Sequence, residues 1–331
     1  MSSTDEVLRA AAEALSHWRD DVVGVELLSA TENLVCGART GDGDRLVVRL
    51  HRPGYTSLTE LRSEVVWVDA LAGSGLAVPV PLALPAGDHH VEVGVGAERR
   101  FASVVSWVAG RPLAESLDDA TDSNIAGWYR SLGEAAAHIR RHATEWTPPS
   151  WFDRRHWNAD GLMGDSPHWG PFWESPVLDD RQRRLFAAAR DSLHCDLSEL
   201  ASDPARYGLI HADLHIGNVM LHESELTVID FDDAGYGFHG HELAVAVRPL
   251  FGTAWFDTAR QAMAHGYRNA VDGAEEDIAL IDTFIVVRQL MNIGWLDARP
   301  DPRMPARRAE SIAVAETSAQ RFLDTAGKEK T

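Results

Sequence analysis

The chain has 331 residues, 45% hydrophobic and 24% charged, enough for two lobes or one large α/β unit with an ordinary globular composition. A formal charge of −19 argues against a nucleic-acid partner, which needs a basic surface; it suits a cationic or amine-bearing partner, and equally it simply solvates the surface. No apolar run approaches the roughly 18–20 residues that cross a bilayer, so no membrane partner is expected.

The opening stretch, MSSTDEVLRAAAEAL, lacks a basic block followed by an apolar core. No signal peptide is expected, and a cytoplasmic location fits. Val7, Leu8, Ala11, Ala14 and Leu15 recur at helical spacing over residues 5–19, with Thr4 placed to cap. Residues 22–28, 34–40 and 46–50 are rich in Val and Leu and are separated by SATEN and GDGD, which predicts an antiparallel meander. A helix follows over 58–72, with Leu61, Val65, Val68 and Leu71 on one face and Gly73 and Gly75 ending it. Two further strands are expected at 89–95 and 99–108. AGRP at 109–112 reads as a turn and a lobe boundary.

Beyond it the spacing predicts a helix over 121–142. An irregular stretch follows at 144–175, holding Trp146, Trp151, Trp157, Trp169 and Trp173. Helix resumes at 179–200. A β-rich stretch at 207–235 precedes helices at 241–250, 255–271, 275–296 and 305–324. Cys36 and Cys195 stand far apart without CxxC spacing, so neither a disulfide nor a cysteine metal site is expected. No histidine pair shows HExxH or similar spacing, and no zinc is expected. Lysine occurs only at Lys328 and Lys330, so an interior phosphate-binding cation must be arginine or a metal.

The chemistry concentrates in YGLIHADLHIGNVMLHESELTVIDFDDAGYG, residues 207–237. Two short strands, Val219–Leu221 and Leu226–Ile229, are joined by HESE. Asn218 ends the loop before the first strand and Asp230 begins the loop after the second, so a hairpin places both at one end. An amide oxygen and a carboxylate are hard ligands suited to Mg²⁺ beside phosphates. Asp213, five residues before Asn218, can face a hydroxyl whose proton leaves as phosphate transfers. Taken singly, these are ordinary turn residues; the order and the hairpin context point to phosphoryl transfer.

HADLHIGNVM followed by VIDFDDA resembles the catalytic loop and metal-binding Asp of the kinase-like phosphotransferases. That group includes aminoglycoside phosphotransferases, choline kinases, type-II homoserine kinases and a bacterial stress-response kinase. The resemblance implies an α+β, bilobal protein-kinase-like fold. Residues 1–108 would be a small β-rich N-lobe with one helix, and 109–331 a larger helical C-lobe. It implies Asp213 as catalytic base, His211 as a brace of the loop, and Asn218 and Asp230 as Mg²⁺ ligands. Glu242, in HELAVAV, stands where the family has an Asp that ties a helix to the catalytic loop. His215, where protein kinases have Lys, favours the small-molecule branch.

The resemblance is looser in the first third. LLSATENLVCGART is similar to the phosphate-covering hairpin, with Ser29, Thr31 and Asn33 as donors to phosphate, although it lacks the Gly-rich loop and serves equally as a plain turn. In LVVRLHRPG, Arg49 stands in place of the phosphate-pairing Lys, with Glu64 as its partner. FASVVSWVAGRPL resembles the inter-lobe hinge, with Val105 at the back of the adenine site and the backbones of Ser106 and Val108 on its edge. The Trp-rich stretch reads both as an acceptor-site wall and as packing for an irregular segment.

The implied function is transfer of the γ-phosphate of ATP, with Mg²⁺, to a hydroxyl of a small molecule. Amine-bearing acceptors are the expected class: a homoserine-like compound, an amino alcohol, an amino sugar or an antibiotic. A Ser/Thr protein acceptor of the stress-response type and a catalytically inactive kinase-shaped binding module are the alternatives.

Overall fold

A computed structural model describes residues 3–201, 203–299 and 304–329; Lys330 lies outside them. The α+β class holds, with antiparallel sheet early in the chain and helices later. Contacts divide the described chain into two units. The first runs to Leu117 and takes in Trp146–Arg154 and Gly217–Asp232; the second comprises Asp118–Glu145, Arg155–Ile216 and the described chain from Asp233 onward. The first unit therefore extends past residue 108 and recruits two later segments.

In the first unit, five antiparallel strands lie in the spatial order Val22–Ala30, Leu34–Thr40, Arg45–Leu50, Glu98–Ser106, Val91–Val95. The expected meander is their first half. The helix Thr4–Leu15 is capped by Ser3, whose hydroxyl accepts from the Glu6 N–H while Glu6 reaches back to Ser3. Thr4 itself is already helical, so the cap falls one residue earlier than the sequence suggested. Val7, Ala11, Ala14 and Leu15 pack on Cys36, Val48, Leu50, Val93 and Val104. Each such buried Val or Leu contributes roughly 1.5–3 kcal/mol. The helix Leu58–Gly73 starts with the same device, Ser57 with Glu60, and buries the expected Leu61, Val65, Val68 and Leu71 together with Trp67.

The hairpin Val219–His222 with Glu225–Val228 belongs to this unit because Arg111–Pro112 adds a third strand, Arg111 opposite Leu221. That approach requires Gly110. Its φ is 98°, and a Cβ there would sit 2.2 Å from the Leu221 carbonyl oxygen.

In the second unit, Asp122–Glu145 packs along Phe256–Arg268. The two helices touch backbone to backbone at glycines: a Cβ at Gly133 would lie 2.1 Å from the Met263 carbonyl oxygen. A small sheet sets Gly235–Phe238 between His156–Trp157, parallel, and Tyr207–Ile210, antiparallel. His239–Val247 is buried along its whole length and packs on Ile281–Asp297. The helix expected over 275–296 is two, Ala274–Ala279 and Ile281–Asp297. Between them the Leu280 N–H bonds to the Asp277 carbonyl, three residues back, which breaks the α-helical ladder. Among the described residues no helix is long and apolar enough to cross a membrane.

Candidate active site

The first unit gathers the residues expected to meet phosphate and metal. Alternation along Arg45–Leu50 buries Leu46, Val48 and Leu50 on one face, so Arg49 projects from the other. Its guanidinium lies 3.5 Å from Glu64 Oε1, as expected, and pairs more closely with Asp230 Oδ1. Burial works against the Arg49 cation, but Asp230, Glu64 and Asp232 together keep it firmly protonated. Burial also pushes the Glu64 carboxyl up to about 7, against the pull of Arg49 and Arg154.

Asn218 and Asp230 do end neighbouring strands. Val219 pairs with Val228, and the Ile229 N–H donates to the Asn218 carbonyl at 2.9 Å, so Asp230 directly follows the residue bonded to Asn218. Asp230 has φ 67°, a left-handed conformation that Asp tolerates better than most residues. Arg154 holds the segment that follows: its guanidinium donates to the carbonyls of Phe231 at 2.9 Å, Asp232 at 2.7 Å and Glu60 at 3.0 Å. Burial would raise the Asp232 carboxyl, yet Arg49, His51 and Arg154 keep it below the ordinary range. The pair of an amide and a carboxylate on a fixed hairpin end fits a divalent cation such as Mg²⁺. Arg49 occupies only one oxygen of that carboxylate.

Three nucleotide-directed expectations change. Asn33 is buried, and its amide is already committed: Nδ2 donates to Asp232 at 3.2 Å and Oδ1 accepts the Arg52 N–H at 2.9 Å. It fastens the turn rather than presenting its side chain to phosphate. Thr31 is exposed in that turn, its N–H 3.3 Å from the Asn33 carbonyl. Ser106 donates its N–H to the Val80 carbonyl at 2.8 Å, and its hydroxyl accepts from the Val80 N–H at 2.9 Å. That N–H is not available to an adenine edge, because Pro81 bridges to Val105 and extends the sheet there. Val108 lies half-buried just past the strand's end.

The second unit holds His211 and Asp213 of the loop expected to be catalytic. Glu242, buried in His239–Val247, accepts the N–H groups of His211 at 2.7 Å and Ala212 at 2.9 Å. It thereby ties helix to loop, as the position of HELAVAV suggested. Ala212 sits at φ 64°, which costs a residue with a Cβ about 1–2 kcal/mol; the two bonds from Glu242 hold it there. Burial pushes the Glu242 carboxyl up to about 7 despite both N–H donors. His211 is fully buried, and its Nδ1 accepts the Asp213 N–H at 3.3 Å. Asp213 pairs with Arg288 through Oδ1, and its Oδ2 lies 3.3 Å from His215 Nε2. Burial would raise the Asp213 carboxyl, but the Arg288 charge, then His215 and His211, hold it well below the usual range. Arg288 in turn lies over Trp169, 4.1 Å from the ring centroid. A carboxylate held this way is kept ionised and has the chemistry to orient a hydroxyl.

In the Trp-rich stretch the packing reading holds. Trp157 is fully buried packing, while Trp169 backs the arginine that fixes Asp213. Sequence reasoning missed Arg288, Arg154 and Asp232. For Arg288 a signal existed: it is the one basic residue in the apolar helix IDTFIVVRQLMNIGWLD. Arg154, in an irregular segment beside a second arginine, gave none.

A family model described as "Phosphotransferase enzyme family" (APH) matches residues 24–278. Amicoumacin kinase of Bacillus subtilis (strain 168) is 24% identical over 306 residues, spanning 88% of this chain and 84% of that protein. Serine/threonine protein kinase RdoA of Salmonella typhimurium is 24% identical over 288 residues, spanning 85% and 80%. The solved structure of a microcompartment-associated aminopropanol kinase superposes with a TM-score of 0.82 at 28% identity, covering 95% of this chain and 97% of that one.

Proposed function

The chain belongs to the APH phosphotransferase enzyme family, and within it we propose that it moves the γ-phosphate of ATP to a hydroxyl of a small amine-bearing molecule. It is a phosphotransferase with a hydroxyl acceptor; the donor, the ion and the acceptor class are the proposal. The observation that carries the reading is the state of Asp213: a carboxylate kept ionised by Arg288 and His215 on a loop clamped by Glu242. Transfer to a hydroxyl needs an ionised carboxylate held in place in this way.

Asp213 accepts a hydrogen bond from the acceptor hydroxyl, and His211 braces the loop. The acceptor oxygen forms a bond to the γ-phosphorus as the bond to the β,γ-bridging oxygen breaks. ADP leaves, and the hydroxyl proton passes to Asp213 and on to water. Asn218 and Asp230 would hold Mg²⁺, which supplies neutralisation of charge on the β- and γ-phosphates. Arg49 does the work of the usual lysine with a planar fork in place of a point charge; Glu64 aims it, and the turn at Thr31 and Asn33 covers the phosphates, with the exposed Thr31 hydroxyl as its donor. Ser106, through its carbonyl, and Val108 meet the adenine. The relatives named for aminopropanol and amicoumacin support an amine-bearing acceptor. The match to RdoA keeps a protein Ser/Thr acceptor as the second reading.

The test has two arms. Thermal stabilisation by ATP is measured with and without Mg²⁺ in the wild type and in Asp230→Ala; Mg²⁺-dependent stabilisation is expected only in the wild type. ATP consumption is then screened against hydroxyl-bearing amines and Ser/Thr peptides. Asp213→Ala should abolish transfer while keeping ATP binding. Full transfer by Asp213→Ala would sink the mechanism, and metal-independent ATP binding without any transfer would make the chain a binding module.

A further inference from the structure

Arg288 holds Asp213, and the hold is only as good as the placement of the guanidinium itself. An arginine stem is long and flexible, and the planar head sends its N–H groups in directions set by the rotation of that plane. One arm of Arg288 donates to Asp213 Oδ1; the other points at the Ala212 carbonyl, 3.5 Å away and at the limit of a hydrogen bond. These two bonds go to different groups, so they do not make the two-armed fork on one carboxylate that locks the plane. The guanidinium carbon lies 4.1 Å from the centroid of the Trp169 ring. That distance sets the cation on the indole face, which attracts it and blocks its rotation to that side.

Trp169 is itself placed by neighbours in the same unit. Gly170, at φ 87°, closes a turn by donating its N–H to the Pro167 carbonyl at 2.8 Å. The fully buried Trp157 meets the Trp169 ring at 5.9 Å and 79°, an edge-to-face contact that fixes its tilt. Gly294 lies on Ile281–Asp297, the helix that also carries Arg288. A Cβ at Gly294 would sit 3.0 Å from the Gly170 carbonyl oxygen and closer still to that of Trp169. Arg288 and Gly294 are about 9 Å apart along the helix axis. One helix thus seats the backbone of Trp169 at one point and offers its ring a cation at another. Glycine weakens a helix interior; here its missing side chain is what admits the segment. Earlier in that segment, Arg190 donates to the Met163 carbonyl at 2.8 Å and lies 4.7 Å from the Trp173 ring centroid, tying it to Asp180–Leu200.

We infer that Trp169 is a positioning residue for Asp213: its ring holds the Arg288 guanidinium in the orientation that meets the carboxylate, and Gly294 is the seat that lets it do so. This rests on the phosphotransfer reading and deepens it by placing a determinant of rate outside HADLHIGNVM, in the irregular Trp-rich segment. Trp169 acts through Arg288 on the carboxylate, so it governs the chemical step and leaves ATP binding alone.

The experiment compares Trp169→Leu, Trp169→Phe and Gly294→Ala with the wild type in the full chain. Consumption of ATP with Mg²⁺ is followed with 1-aminopropan-2-ol and with water alone as acceptor. Trp169→Leu lowers kcat about tenfold and keeps the KM for ATP within about twofold. Trp169→Phe, which still offers the cation a ring face, keeps most of the rate. Gly294→Ala, which pushes the Trp169 backbone off its seat, behaves as Trp169→Leu does. In an Arg288→Met background, Trp169→Leu changes kcat by less than about twofold, because its route to Asp213 is already cut. A second readout needs no turnover: the urea midpoint. Trp169→Leu shifts it about half as far or less in an Asp213→Asn background as in the wild type, and that coupling vanishes once Arg288 is Met. Equal midpoint shifts in the two backgrounds would mark Trp169 as packing and overturn the assignment. So would a full kcat loss from Trp169→Leu without Arg288, or Trp169→Phe as impaired as Trp169→Leu. Failure of the phosphotransfer reading looks different: no ATP is consumed even by the wild type, while the coupling between Trp169 and Asp213 persists in the urea midpoints.

Discussion

Replacing Arg288 with Met isolates the interaction on which the candidate site turns. Arg288 is buried, its side chain 6% exposed, and pairs with Asp213, whose side chain is 21% exposed. Removing one member of a buried pair costs about 3–5 kcal/mol, most of it the penalty of the charge left behind. Asp213 retains some solvent and keeps His215 at 3.3 Å, so the lower end, about 3 kcal/mol, applies. Loss of the stack on Trp169 adds up to about 1 kcal/mol. Arg288→Met should therefore lose about 3–4 kcal/mol in a urea titration. The double variant Arg288→Met/Asp213→Asn should lose only about 1–2 kcal/mol, since no uncompensated charge remains. The chemistry gives a second readout. In the wild type Asp213 stays ionised well below the usual carboxylate range, so the acid limb of kcat/KM is not set by it near neutrality. Without Arg288, burial raises the carboxyl, and the acid limb should climb by about 1–3 pH. The reasoning is refuted if Arg288→Met unfolds within about 1 kcal/mol of the wild type and its acid limb does not move.

Further expectations concern the other tethers. Glu242→Ala strands two buried N–H groups at about 1–3 kcal/mol each and frees Ala212 from its left-handed conformation; kcat should fall about 100-fold with the KM for ATP nearly unchanged. Steady-state kinetics check this, and an equal rise in the KM for ATP would contradict it. Arg154→Met removes the donor to the Phe231 and Asp232 carbonyls that follow Asp230, and to that of Glu60; Mg²⁺-dependent stabilisation by ATP should weaken about tenfold or more, read by titration. Glu242 also gives a pH signature. Its native pKa is raised to about 7 from an ordinary value near 4.5, so the native form holds a proton that the unfolded chain releases. Its contribution to stability is complete below pH 4.5 and is lost as pH rises to 7. Glu242→Gln, which cannot titrate, should flatten the urea-midpoint profile over that window; an unchanged slope would exclude Glu242 as its source.

Much of this protein is written along the chain. Period-2 alternation placed Arg49 on the open face of its strand, and helical spacing found the buried face of Leu58–Gly73. The strand–turn–strand pattern of 219–229 brought Asn218 and Asp230 to one hairpin end. Each depends on neighbours within a few residues, where backbone geometry alone decides which way a side chain points. What surrounds those groups is different in kind. Arg288 meets Asp213 across 75 residues, Arg49 meets Asp230 across 181, and Asn33 meets Asp232 across 199. No periodicity encodes such pairings, because they arise only when packing removes water and leaves each charge to find the partner that offsets its burial. The sequence therefore named the carboxylate. Tertiary structure decided that it stays ionised and that Asn33 and the Ser106 N–H are spent on the fold.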